Sequence, residues 1–263
     1  MATQRKKSSS TTLARKSTKA PARAKAAPAQ STARKFNPRA PQRLSAILEI
    51  LERTYPDVHC ALQHENAWHL LVATILSAQC TDVRVNMLTP ALFKKYPTPS
   101  SLAKIEPVEL EPLIRSAGFF RNKAKSIVGA ARRVMDHFHG RVPETMEELL
   151  SLPGVARKTA NVVLGSWFGR GEGIVVDTHV HRISRRLELT RSDDPKHIEQ
   201  DLMKLIPQAK WIDFSHQLIH HGRALCIARG PKCAECPLES VCHAADKTWS
   251  TVEQHKGAKG TKS

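Results

Sequence analysis

The sequence of 263 residues lacks a long hydrophobic run, which excludes an integral membrane protein. Its most apolar stretch, residues 68–78, is interrupted by polar side chains and is shorter than the ~20 residues needed to span a bilayer. No apolar segment follows the basic start, so a secretory signal is not expected. Six cysteines are too few for a disulfide scaffold in a chain of this length.

Acidic residues are absent from positions 1–43, which contain 12 lysines and arginines, so much of the net charge of +17 lies there. Too few large apolar groups occur in residues 1–40 to form a core, and we expect a disordered basic tail over 1–41. Such a tail favours a polyanionic partner, nucleic acid ahead of an anionic membrane. An organelle transit peptide has a similar composition, so targeting remains a second interpretation.

Alternating strand patterns and Asn-Gly hairpin signals are also missing, and helical periodicity runs through the body of the chain. The first helix shows one apolar stripe at i, i+3, i+4 and i+7, formed by Leu44, Ile47, Leu48 and Leu51. Thr89 and Pro90 are typical of an N-cap followed by a first-turn proline, which predicts a helix start there. Glycines predict helix ends at Gly118, Gly140 and Gly169. The predicted fold class is all-α, with ten or eleven helices.

Four of the six cysteines lie within one short segment with the spacing C-x6-C-x2-C-x5-C, namely Cys226, Cys233, Cys236 and Cys242. Thiolates that converge from one loop can enclose a compact metal centre. Zinc sites usually pair two C-x2-C steps, whereas one such step flanked by two single cysteines better suits an iron–sulfur cluster. The spacing leaves both metals open. Cys60 and Cys80 lie in helical patterns elsewhere and are expected to be small buried side chains.

A Pro-Gly turn between two helical patterns provides a second candidate site. Pro153 and Gly154 force the turn, and the N–H groups around Val155–Arg157 then open the next helix. Unpaired N–H groups there would suit a DNA phosphate. Lys158 follows on the first helical turn, where Arg157, the helix dipole and partial burial are expected to favour a neutral amine. A neutral amine can attack a sugar C1′ and form a Schiff base; a surface phosphate contact is the alternative.

Asp177 is the third candidate, because it follows a short apolar run and precedes a predicted helix at Thr178. Its carboxylate is predicted to cap that helix. A cap at the mouth of a cleft also holds a charge rigidly, so it can stabilise an oxocarbenium ion or accept a proton from an attacking amine. His179 and His181 are two positions apart and make a poor metal pair.

Five motifs occur in order along the chain: Leu76–Asp82, Leu152–Val163, Val176–His179, His221–Arg229 and the four-cysteine loop. With them, residues 42–246 resemble the endonuclease III family of DNA glycosylases in the helix-hairpin-helix superfamily. The resemblance implies a [4Fe–4S] cluster at the four cysteines. It implies an enzyme of base excision repair, a DNA glycosylase and AP lyase, that excises oxidised pyrimidines from duplex DNA and cleaves the abasic strand by β-elimination.

The resemblance also implies two helical domains with a DNA-binding cleft between them. One is a six-helix barrel with the helix-hairpin-helix, over residues 60–172. The other is the cluster domain, which joins residues 42–59 to residues 173–246, and residues 247–263 form a polar tail. A monomer is expected, with double-stranded DNA that contains damaged or abasic sites as its partner. It would act in the cytoplasm or nucleoid of a bacterium, or in an organelle if the tail is a transit peptide.

By the same resemblance, Lys158 is the nucleophile that displaces the damaged base, and Asp177 assists it. Gln79 fills the space left by the extruded base, and Phe119 is an apolar wedge in the opposite strand, with core packing as the alternative. Asp82 and His179 are candidate pocket residues, although N-capping by Thr81 or Asp82 also explains that acid. Further DNA contacts are implied for the hairpin and the cluster loop, at Leu152, Gly154, Val155, Ala156, Arg157, Arg229 and Lys232.

Two positions depart from the family pattern. Ala156 replaces the second hairpin glycine, which would relax the closest backbone approach to phosphate, and Gly230 replaces a basic residue of the cluster loop.

Two other functions are alternatives to this interpretation. An adenine glycosylase of the same superfamily generally lacks the hairpin lysine and has a further C-terminal domain. A non-catalytic iron–sulfur DNA-binding regulator is a different class, against which Lys158 and Asp177 together argue.

Overall fold

The computed structural model describes residues 37–251, so most of the predicted basic tail and residues 252–263 lie outside it. Within this range the chain forms helices and connecting turns and has no strand, which confirms the all-helical fold class. No helix in this range is long and apolar enough to cross a bilayer. The α-helices are α1 (Pro41–Thr54), α2 (Ala67–Ser77), α3 (Asp82–Lys95), α4 (Pro99–Ala103), α5 (Pro107–Ile114), α6 (Phe120–Phe138), α7 (Met146–Leu150), α8 (Arg157–Ser166), α9 (Thr178–Arg186), α10 (Pro195–Leu205) and α11 (Trp211–Ala224).

Helices α2 to α8 enclose a first cluster of buried apolar side chains, most of which lie between Leu62 and Leu164. Helix α2 is central to it, because every residue from Trp68 to Leu76 is buried. The Asn66 side chain starts this helix by accepting a hydrogen bond of 2.8 Å from the N–H of His69. A helix that is buried on all sides packs on all sides, here against α3, α6 and α8.

Helices α1, α9, α10 and α11 enclose a second cluster of buried side chains. Ile47 and Leu51 of α1 belong to this cluster, together with Phe214 and Leu218 of α11. The chain therefore leaves this core after α1 and returns to it at Ile174. The first cluster lies mostly within residues 60–172, the predicted barrel, and the second lies in the segments predicted for the cluster domain. The assignment of two domains remains a proposal.

The predicted helix start at Thr89 and Pro90 is wrong, because Pro90 lies inside α3. The helix begins at Asp82 instead, where the Thr81 hydroxyl accepts a hydrogen bond of 3.3 Å from the N–H of Arg84. Pro90 is exposed, whereas one face of α3 is buried in the first core. Burial of that face stabilises α3 on both sides of Pro90, although proline disfavours the interior of a helix.

The first residues assigned to the polar C-terminal tail contact the cysteine loop. Thr248 donates a backbone hydrogen bond of 3.4 Å to Cys233 Sγ and a hydroxyl hydrogen bond of 2.5 Å to the carbonyl of Pro231. Lys247 Nζ donates to the carboxylate of Glu239, which also accepts from the Thr251 N–H at 2.8 Å. The ordered part of the loop thus extends past residue 246.

Candidate active site

Five of the candidate residues line one cleft of about 700 Å³: Gln79, Asp82, Lys158, Asp177 and His179. Lys158 lies on the first turn of α8, whose apolar side chains belong to the first core. Asp177 immediately precedes α9, whose apolar side chains belong to the second core. The amine and the carboxylate therefore reach the same cavity from two different buried clusters.

The Asp177 carboxylate caps α9, as the sequence predicts. Its Oδ1 atom accepts hydrogen bonds of 2.8 Å from the N–H groups of both His179 and Val180. Because Val176 is buried on one side and the helix begins on the other, the carboxylate is held in place at the cleft. Both hydrogen bonds fall on one oxygen, so the capping role and a chemical role are compatible.

His179 is held by the neighbouring turn of α9 and by α11. Its Nδ1 atom lies 3.2 Å from Nη2 of Arg182, which also donates to the carbonyls of Gly222 and Cys226 at 3.1 and 2.9 Å. Burial is the main cause that lowers the pKa of His179, so the ring is neutral near pH 7. A Cβ at Gly222 would lie 2.7 Å from this Nδ1 atom, so only glycine allows α9 and α11 to approach here.

The Pro-Gly turn precedes α8 and packs on α6. Gly154 has a φ of +77°, and a Cβ at this position would lie 2.5 Å from Cβ of Ser126, so the turn requires glycine on two grounds. The N–H of Val155 donates to the carbonyl of Leu152 at 3.2 Å, so the prediction that it is unpaired is wrong, because the turn closes on itself. The N–H groups of Ala156 and Arg157 have no acceptor among residues 37–251.

Ala156 fits its position without strain. Its φ of −97° and ψ of 170° describe extended backbone that any residue adopts, so alanine is not strained here. The relaxed approach to phosphate expected at this position stays a prediction. Leu152 is buried, whereas Gly154 and Ala156 are exposed. The turn therefore buries the side chains of Leu152 and Val155 and leaves Gly154 and Ala156 open to solvent.

The side chains of Arg157 and Lys158 differ from expectation. Arg157 Nε donates to both carboxylate oxygens of the buried Glu199, at distances of 3.1 and 2.9 Å. Asn161 Nδ2 donates to the same carboxylate at 2.9 Å. Lys158 is exposed, so the partial burial expected for it is wrong, because burial in α8 begins only at Ala160 and continues to Leu164.

Gln79 and Phe119 are both exposed and both have a left-handed backbone, with φ values of +53° and +46°. For residues other than glycine this conformation costs about 1–2 kcal/mol, so the surrounding structure must impose it. Phe119 is 64% exposed, and the alternative that it packs in the core is therefore wrong. It lies at the start of α6, after Gly118.

One face of α11 contributes to the cleft and was missed by the sequence interpretation. His216, His220 and Arg223 recur at i, i+4 and i+7, and all three line the cleft. Arg223 forms an ion pair with Asp82, so α11 is joined across the cleft to the start of α3. Burial is the main cause that lowers the pKa of His216 to about 4, so this ring is uncharged at neutral pH. The helical spacing alone could have identified this face.

Cys60 and Cys80 also line the cleft. Both are half-buried and pack at the margin of the first core, so the expected burial is only partial. Burial raises the pKa of the Cys60 thiol.

The other four cysteines line one cavity beside α9 and α11. Within residues 37–251, no three His, Cys, Asp or Glu side chains form a group that could hold a single metal ion. Arg186 Nη1 donates to Cys226 Sγ at 3.3 Å, and His221 Nε2 lies 3.5 Å from Cys236 Sγ. Burial is the main cause that raises the pKa of Cys236 to about 12, so this thiol ionises only with a compensating cation.

The two basic residues predicted to face phosphates in the cysteine loop, Arg229 and Lys232, are both exposed. Gly230 lies between them with a φ of +63°, in open space. The loop therefore presents its charges outward.

Comparison with known proteins agrees with this geometry. Residues 72–208 match the HhH-GPD superfamily of base excision DNA repair proteins. Endonuclease III of Synechocystis sp. is 58% identical over 204 residues, which are 78% of this chain and 93% of that protein. Endonuclease III of Bacillus subtilis is 44% identical over 73% of this chain and 88% of its own length.

Solved structures give the same result. A non-covalent endonuclease III–DNA complex and a trapped endonuclease III–DNA covalent intermediate each match with a TM-score of 0.73 and 44% identity. Each match covers 77% of this chain and 95% of the other. The chain thus belongs to the endonuclease III family within the HhH-GPD superfamily of base excision DNA repair proteins. Its activity is that of a DNA N-glycosylase and AP lyase.

Proposed function

We propose that this enzyme excises oxidised pyrimidines from duplex DNA and cleaves the abasic strand by β-elimination, with Lys158 as the nucleophile and Asp177 as the assisting carboxylate. The observation that carries the proposal is that Lys158 and Asp177 line one cleft. Its size of about 700 Å³ lies within the roughly 300–1,000 Å³ typical of ligand pockets, which is adequate for an extruded nucleotide.

The chemistry follows from these two side chains. Nζ of Lys158 forms a bond to C1′ while the bond from C1′ to the base breaks, and the base leaves with the electron pair. Asp177 stabilises the positive charge that develops on the sugar and accepts the proton that the amine loses. The C1′–O4′ bond of the sugar then breaks, O4′ takes up a proton, and the nitrogen lone pair forms the C=N bond of a Schiff base. The Schiff base makes the C2′ proton acidic, and loss of that proton expels the 3′ phosphate. Base excision and strand cleavage therefore share one covalent intermediate.

The DNA contacts proposed for this reaction fall into two groups. The N–H groups of Ala156 and Arg157, which open α8, suit a phosphate, and the exposed Arg229 and Lys232 supply positive charge. Leu152, Gly154 and Val155 shape the turn that presents these N–H groups. Gln79 and Phe119 enter the duplex, the first in the vacated space and the second in the opposite strand. Asp82 and His179 line the pocket for the extruded base.

A [4Fe–4S] cluster is proposed for the cavity that Cys226, Cys233, Cys236 and Cys242 line. The donor set fits, because the four thiols surround one cavity and nearby Arg186 and Lys247 offset the negative charge of four thiolates. When bound, the cluster cross-links the loop that carries Arg229 and Lys232. No step of the reaction involves the irons.

The enzyme is proposed to act as a monomer on damaged or abasic sites, because one chain supplies every residue assigned to the reaction.

The test of the proposed activity is a panel of duplexes that each contain one modification: thymine glycol, an abasic site, or adenine opposite 8-oxoguanine. Base release and strand nicking with thymine glycol support the proposal. Adenine release without nicking would instead identify an adenine glycosylase, and binding without release or nicking would identify a regulator.

A further inference from the structure

A buried lysine lies between the two loops that carry Gln79 and Phe119. Lys123, on the first turn of α6, is 5% exposed. Its ammonium donates hydrogen bonds of 2.8 Å to the carbonyls of Leu76 and of Ala117. Leu76 lies two residues before the Gln79 loop (residues 78–81), and Ala117 is the first residue of the Phe119 loop (residues 117–120). The reaction proposed at C1′ does not use this amine, and the burial of Lys123 excludes it as a second nucleophile.

Each carbonyl lacks a regular helical donor because of the loop that follows it. The left-handed turn at Gln79 directs the N–H of Cys80 to the carbonyl of Ser77, at 3.0 Å, so it no longer reaches Leu76 as in a continuous helix. Ala117 ends a 3-10 helix just before Gly118. Lys123 supplies the missing donor at both places, and its charge lies at the C-terminal end of α2, where the helix dipole favours a cation.

The backbone of Lys123 fixes the second loop as well. Its N–H donates to the carbonyl of Phe119 at 3.1 Å, which closes the first turn of α6 on that residue. Burial is the main cause that lowers the pKa of Lys123, and the Coulombic interaction with Cys80 acts in the opposite direction. Lys123 therefore contacts both the segment that leads to Gln79 and the segment that carries Phe119.

We propose that Lys123 is a positioning residue that holds the Gln79 loop and the Phe119 loop at a fixed separation, so that both side chains enter the duplex together. This inference rests on the proposed roles of Gln79 and Phe119. It predicts that Lys123 matters for extrusion of a base from a duplex and not for bond cleavage at C1′. A merely structural lysine would affect both.

The test compares single-turnover cleavage of one thymine glycol strand in single-stranded form with cleavage of the same strand in a duplex. Only the duplex requires an extruded base and an opposite strand. For Lys123→Met, we expect the duplex rate to fall about 10- to 100-fold, the general scale for loss of buried charged hydrogen bonds, while the single-strand rate changes little. Lys125→Met is the matched control, because Lys125 is exposed on the same helix and should leave both rates unchanged.

The ratio of the two rates is taken on the same preparation, so it does not depend on the folded fraction. Lys123→Gln, which keeps an N–H donor without the charge, provides a milder second variant, for which a smaller fall in the ratio is expected. A parallel fall of both rates in both variants would overturn the inference.

Double variants with Gln79→Ala and with Phe119→Ala separate this inference from the function on which it rests. If Lys123 acts through these residues, its effect on the ratio should shrink when either is already alanine. Fully additive effects would overturn the role of Lys123 alone. If Gln79→Ala and Phe119→Ala themselves leave the ratio unchanged, the proposed roles of those two residues fail first, and the role of Lys123 fails with them.

Discussion

Glu199 accepts two hydrogen bonds from Arg157, the residue immediately before the candidate nucleophile. Glu199 lies on α10 with the second core, whereas Arg157 begins α8 of the first core. Asn161, one turn further along α8, binds the same carboxylate. The start of α8, which carries Lys158, is thereby tied to the part of the chain that carries Asp177.

Glu199→Gln should lower both stability and turnover. The variant keeps the shape but leaves Arg157 without its counter-ion, and the penalty is about 1–3 kcal/mol because Arg157 is 43% exposed and partly screened. Thermal melting and single-turnover cleavage measure the two effects. Glu172→Gln, at an exposed site, is the control. Unchanged cleavage in a destabilised Glu199→Gln protein would limit this ion pair to folding.

Lys158→Ala should abolish the adduct that borohydride traps on abasic DNA and leave duplex affinity largely intact. The amine forms the covalent bond, whereas it contributes only one of many positive charges to binding. Gel analysis of the trapped complex and a fluorescence anisotropy titration measure the two quantities. Undiminished trapping would mean that another amine is the nucleophile.

Asp177→Asn keeps an oxygen that can accept from the N–H groups of His179 and Val180 but removes the charge. We expect a loss of about 10²-fold or more in the rate of base excision, the general range for acid–base or electrostatic groups, with little change in melting temperature. Single-turnover excision and calorimetry provide the readouts. A large drop in melting temperature with near-normal excision would reduce Asp177 to a helix cap.

The sequence allowed prediction of the features that depend on local chemistry. The cap at Asp177 and the turn at Pro153 and Gly154 follow from short motifs, and the structure has both. The all-helical fold follows from periodicity that burial then satisfies. Helix α3 shows the limit, because packing of its buried face overrides the local preference of Pro90.

Contacts between distant segments could not be predicted in this way. Glu199 is 42 residues from Arg157, and Lys123 is 47 residues from Leu76, so no spacing rule connects them. The predicted partial burial of Lys158 was wrong for a related reason, since it depends on where along α8 the packing against the core begins. The α11 face of the cleft was within reach of periodicity, but nothing in the sequence indicates that it meets Asp82.

Cys236→Ser should reduce bound iron and the broad absorbance near ~400 nm that thiolate-to-iron charge transfer gives. Folding or DNA affinity should fall before the chemistry does, because the cluster is proposed to hold a loop. Cys80→Ser is the matched control, since Cys80 lies outside the cavity of the other four and should retain the colour and the iron. Stoichiometric zinc in a colourless protein would contradict the cluster assignment.

The position of α1 has a consequence for the order in which the protein is made. Ile47 and Leu51 emerge from the ribosome early, but their partners in the second core begin at Ile174 and extend to Leu238. The first core up to Leu164 is present in the nascent chain before those partners exist. The second core around α1 is therefore complete only after the cysteine loop has been synthesised, so an early helix depends on a segment that is made much later.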